Sequence, residues 1–66
     1  MIWFAEGSRQ GTQANVYADE MSDVTSELPQ FATENHLKHG SSCVCIETSE
    51  VFIMKTDGTW KKYGGT

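Results

Sequence analysis

Basic residues are scarce in this chain. Five Lys and Arg stand against nine Asp and Glu, so there is no cationic patch to displace counterions from a phosphate backbone, and no nucleic acid partner is expected. Long apolar runs are missing too: none approaches the roughly 18 residues that cross a bilayer, so no membrane partner is expected. Met1-Ile2-Trp3-Phe4-Ala5-Glu6 has neither a basic n-region nor a long apolar h-region, and no secretory signal is expected there. Cysteine occurs only at 43 and 45, too close along one strand face for ordinary disulfide geometry; two reduced thiols fit a reducing compartment. The largest shortage is length. A chain of 66 residues forms one small domain in which burial barely offsets conformational entropy, and such chains usually gain a disulfide, a metal or partner subunits. A self-sufficient enzyme is therefore not expected, and neither is a cofactor.

The strand signals lie in the second half. Cys43-Val44-Cys45-Ile46 and Val51-Phe52-Ile53-Met54 are short runs of strand-favouring residues, separated by the polar stretch Glu47-Thr48-Ser49-Glu50. Asp57-Gly58 supplies positive φ to a second tight turn, after which Thr59-Trp60-Lys61-Lys62-Tyr63 reads as a third strand. The pattern predicts a mainly β, small α+β fold: a three-stranded antiparallel meander over about 42–47, 51–56 and 59–63, fraying at Gly64-Gly65-Thr66. A short helix is expected at about 33–39, with Thr33 as N-cap, Lys38 and His39 near its negative end and Gly40 as its stop. Pro29 disfavours a helical Leu28.

The first half is expected to be extended, with 1–27 as a possible arm and 28–63 as the helix and meander. Within it, Met1–Ala5 and Asn15–Ala18 are short extended candidates, Ile2 and Phe4 facing one way and Trp3 the other. Asp19 to Glu27 reads as a solvated turn of helix, its acidic pairs without an apolar wall to shift their titration. Residues 1–35 carry a balance of −5 and residues 36–66 a balance of +1, which reads chiefly as solvated surface.

Period-two alternation makes one further point. In the first two strands of the meander both faces are apolar: Val44 and Ile46 oppose the cysteines, and Phe52 and Met54 oppose Val51 and Ile53. Strands of that kind are covered on both faces. The N-terminal half is long enough to cover one face, and the other calls for a partner. Trp3, Phe4, Tyr17, Val51, Ile53, Trp60 and Tyr63 are the interface candidates. His36, His39, Cys43 and Cys45 form the one constellation with metal chemistry, four donors within ten residues. Its spacing is poor, because Cys-x-Cys on a strand holds the sulfurs roughly 7 Å apart where zinc knuckles use two to four intervening residues. Packing is the preferred reading of both thiols. A zinc-stabilised adaptor or regulatory module, or a carbohydrate-binding tip built on the aromatics, are the alternatives that these residues leave open.

Leu28-Pro29, then Leu37-Lys38 and, one residue on, Gly40-Ser41-Ser42-Cys43-Val44-Cys45-Ile46-Glu47-Thr48-Ser49-Glu50-Val51-Phe52-Ile53-Met54, then Asp57-Gly58-Thr59-Trp60-Lys61 resembles small proteins encoded among the structural genes of tailed bacteriophages and prophages. About half the chain carries the resemblance. Ser49 departs from it, standing where that pattern more often has Gly. The resemblance implies a non-enzymatic virion component, assembled in the bacterial host cytoplasm: a capsid-decorating, head-fibre or tail-associated subunit. Its implied partners are other virion proteins, capsid or tail subunits, together with further copies of itself.

Overall fold

The computed structural model describes residues 1–63; the fraying expected at 64–66 lies outside the described residues. Five strands and two short helices follow in the order β1 (Ile2–Phe4), β2 (Asn15–Ala18), α1 (Met21–Ser26), α2 (Leu28–Glu34), β3 (Ser42–Cys45), β4 (Glu50–Met54) and β5 (Trp60–Lys62). All five strands join one mixed sheet in chain order. The expected meander is present as β3, β4 and β5, antiparallel throughout, with several ends one or two residues shorter and β4 starting one residue earlier. It is only part of the sheet. β1 pairs antiparallel with β2, and β2 pairs parallel with β3, so the N-terminal half is not an extended arm. A parallel pair needs a crossover connection, and α1 with α2 is that crossover.

The expected helix over 33–39 is corrected. α2 starts five residues earlier and ends at Glu34. Pro29 sits in its first turn, where a missing N–H costs nothing because that amide would have no intrahelical acceptor. Leu28 is thus helical and fully buried, against the expectation for a residue preceding proline. Thr33 is inside the helix and its hydroxyl donates back to the Pro29 carbonyl at 3.0 Å. The C-terminus closes through His36, at φ 53°. The His36 amide donates to Thr33 and the Leu37 amide to Ala32, the paired bonds of a Schellman stop, with Ala32 and Leu37 both buried beside it. Gly40, at φ 89°, turns the chain into β3 instead of capping the helix.

Alternation along the strands sorts the side chains. Val16, Ala18, Cys43, Cys45, Phe52 and Met54 point to one face and are buried there with Val24, Leu28, Ala32 and Leu37 from the helical layer. Ile2, Phe4, Met21, Phe31 and Trp60 pack around this cluster. Ser41 is the polar residue at its base, 1% exposed. Its hydroxyl donates to the Lys38 carbonyl at 2.6 Å and accepts from the Ala14 amide at 3.1 Å, so both partners of a buried hydroxyl are present.

Two tight turns fix the meander. Lys55 donates to Thr59 across the second at 2.7 Å, leaving a three-residue loop in which Gly58 takes φ 90° and Asp57 accepts from the Thr59 amide at 3.0 Å. In the first, Ser49 takes φ 59°. A side chain in that region costs about 1 kcal/mol, which glycine avoids in part. His36 and Ser49 are both exposed. His36→Gly and Ser49→Gly are each expected to stabilise the fold by about 0.5–1 kcal/mol, a rise of a few degrees in the thermal midpoint. A fall in the midpoint would show that these left-handed conformations are not retained.

Candidate functional site

Both helices pack on the same side of the sheet. Among the described residues no element covers the other side. A row of side chains crosses it from edge to edge: Trp3 opposite Tyr17, Tyr17 beside Val44, Val44 opposite Val51. The Tyr63 amide donates to the Val51 carbonyl at 2.7 Å, carrying the row past β5. The next row is Asn15, Ser42, Ile53 and Lys61, polar at its β2–β3 end, where the Ser42 hydroxyl donates to the Asn15 side-chain oxygen. Tyr17 is 37% exposed, Ile46 51% and Tyr63 69%, while Trp3, Val44, Val51 and Ile53 are half-buried. The Trp3 and Tyr17 rings lie 5.9 Å apart at 33°. A shallow depression of about 330 Å³ separates Ile53, Lys61 and Tyr63.

Five of the seven interface candidates (Trp3, Tyr17, Val51, Ile53 and Tyr63) thus share one surface. Phe4 and Trp60 are on the opposite face. Phe4 meets Phe31 at 5.3 Å between ring centres. Trp60 forms one wall of a groove of about 360 Å³ between the helix pair and the β4–β5 hairpin, facing Met21, Val24, Pro29 and Phe52. Its indole nitrogen is buried and has no hydrogen-bond partner among the described residues. Val44 and Ile46 belong to the same open face although they are not among the interface candidates, and their alternation with the buried cysteines is the sequence signal that places them there.

The histidines and cysteines are not brought together. Cys43 and Cys45 are fully buried on the helical face, whereas His36 ends α2 and His39 lies in the loop before β3, both exposed. Among the described residues no three His, Cys, Asp or Glu side chains are grouped to hold a metal ion. Burial, and then the neighbouring Cys45, push the Cys43 thiol up to about 11, which disfavours the thiolate that metal binding or nucleophilic attack requires. Both thiols are free and serve as small core residues.

The acidic stretch is less solvated than its sequence implies. The Glu20 amide donates to the Asp23 carboxylate at 3.0 Å, and the Met1 ammonium makes a second, charged bond to it. Glu47, in the β3–β4 turn, accepts from the Met21 amide at 3.0 Å, so the start of α1 is held by carboxylates from two elements. Asp23 is 6% exposed. The bond from the Met1 ammonium, then those from Glu27 and from the Glu20 backbone, hold its carboxyl down at about 2 against an ordinary 3.8. Glu27 shifts upward, chiefly because it shares a hydrogen bond with Asp23. Across the sheet, Glu50 bonds to Lys62 at 2.8 Å, and that pairing lowers its titration.

Comparison of the chain with protein-family models, curated proteins and solved structures finds no match in any of the three.

Two outcomes are expected from this geometry. Because the folded state lowers the Asp23 titration, its contribution to stability is complete above about pH 4 and is lost as pH falls toward 2. In thermal melts across that range, Asp23→Asn is expected to be less stable than the native chain at neutral pH, the difference shrinking steadily in acid. A difference independent of pH would refute the assignment. Separately, alkylation of Cys43 and Cys45 by iodoacetamide is expected only on unfolding, with labelling tracking the melt; rapid labelling of the folded chain would contradict their burial.

Proposed function

We propose that the chain is a non-enzymatic structural protein of a tailed bacteriophage or prophage particle, seated by its open sheet face on a neighbouring capsid or tail subunit. The observation that carries this reading is the edge-to-edge row Trp3–Tyr17–Val44–Val51–Tyr63 on a sheet whose other face already has its helical cover. A row of aromatic and β-branched side chains across β1 to β4 and the residue after β5 is the composition of an interface core, with Lys61 and Asn15 at its rim. The resemblance of residues 28–61 to phage structural proteins supplies the setting. Repetition by particle symmetry makes a modest contact per copy sufficient, because many copies add through avidity. Decoration, head-fibre and tail-associated roles share this chemistry.

The closely placed Trp3 and Tyr17 rings favour a second reading, a carbohydrate-binding tip, since flat sugar faces stack on such surfaces.

Mass spectrometry of purified particles is expected to find the chain at a symmetry-related copy number, and its absence from particles removes the virion reading. Tyr17→Glu places a charge at the centre of the open face, and is expected to reduce incorporation roughly tenfold or more while leaving the melt close to native. Undiminished incorporation would exclude this face as the docking surface. Binding on a glycan array that is lost on Trp3→Ala would select the carbohydrate reading instead.

A further inference from the structure

The sheet has two edges, and they differ in a way that bears on self-association. β5 presents Trp60-Lys61-Lys62 at one edge and β1 presents Ile2-Trp3-Phe4 at the other. Exposed edges invite pairing, and lysine is a common means of blocking it. β1 has no such protection: its three residues are uncharged, apolar and half-buried.

The hydrogen-bond alternation fixes which backbone groups face outward. The Ala5 amide donates to Asn15 at 2.8 Å, and the Asp19 amide to Met1 at 3.1 Å. Odd-numbered residues of β1 therefore bond to β2, and the N–H and C=O groups of Ile2 and Phe4 point away from the sheet. These two residues flank Trp3 symmetrically.

We propose that β1 pairs antiparallel with β1 of a second copy, about a two-fold axis that passes beside Trp3. In this register Ile2 and Phe4 exchange both backbone bonds with Phe4 and Ile2 of the partner copy, giving four hydrogen bonds in all. Trp3 faces its own equivalent as a non-hydrogen-bonded pair, the arrangement in which cross-strand side chains come closest. The apolar row of each open face then runs without a break through Trp3 into the row of the second copy, making one ten-stranded sheet. The same operation at β5 would set Lys61 against Lys61, like charges directly opposite, which is destabilising. Head-to-tail pairing of β1 with β5 would place the apolar strand against the lysine edge and leave both ends open to further addition. A two-fold pair at β1 avoids both. This inference is separate from the particle reading, because it concerns the isolated chain.

Sedimentation equilibrium of the purified full-length chain is expected to show a reversible monomer–dimer system without higher species. Trp3→Cys supplies the second measurement. Facing positions in a non-hydrogen-bonded antiparallel pair have Cα atoms about 4.5 Å apart, within disulfide range. Under oxidised glutathione this variant is expected to form a covalent dimer at least roughly tenfold faster than Tyr63→Cys, which sits beyond the lysine edge. The buried native thiols stay silent in both. A native chain that remains monomeric up to millimolar concentration, an open-ended ladder of species, or equal crosslinking of the two variants would each overturn the proposal. None of these results would alter the test of particle incorporation.

Discussion

The parallel pairing of β2 with β3 is the constraint on which the rest of the structure depends. Two adjacent strands running the same way cannot be joined by a tight turn, so the chain must leave the sheet, cross it and return. Here the crossing is made by α1 and α2, which bring Val24, Leu28 and Ala32 over the cysteines, Val16 and Ala18. With so few residues available, one crossover covers one face. The uncovered face follows from the same connection.

That asymmetry explains how a chain of 66 residues folds around a real core and still displays apolar side chains in register. On the helical face Ala18, Cys43 and Cys45 are small enough to let the helices approach the middle of the sheet, while Phe52, Met54, Phe4 and Trp60 fill the space around them. The open face carries Trp3, Tyr17 and Tyr63 without such cover, and contiguous exposed apolar surface of that kind is uncommon on an isolated molecule.

Polar contacts secure the joints of this frame. Ser41 bonds to both Lys38 and Ala14 where β2 and β3 begin. Asp23 collects the Met1 ammonium and the Glu20 amide where β1 and α1 come together. These residues look like ordinary surface polar groups in the sequence. Their burial exists only because distant segments converge: the Met1–Asp23 contact spans 22 positions and the Ser41–Ala14 contact 27.

Local signals in the sequence determined the meander, the Asp57-Gly58 turn, the shared face of the two cysteines and the apolar character of both faces of β3 and β4. Each rests on neighbours a few positions apart, through period-two alternation or turn chemistry. Alternation set Phe4 against Trp3 and Trp60 against Tyr63 within their strands, but it could not say which face of each strand the helices cover: Phe4 and Trp60 lie on the core side, and Trp3, Tyr17 and Tyr63 on the open one. That assignment required the strand order and the crossover, which no local pattern encodes. The helix was misplaced because Gly40 and Pro29 carry strong local preferences, yet tertiary burial of Leu28 and Ala32 decided where the helix runs and left His36 to end it. Strand propensity is a property of a segment, whereas pairing partners, direction and the covered face belong to the whole chain, because they are set by which apolar surfaces can be buried together.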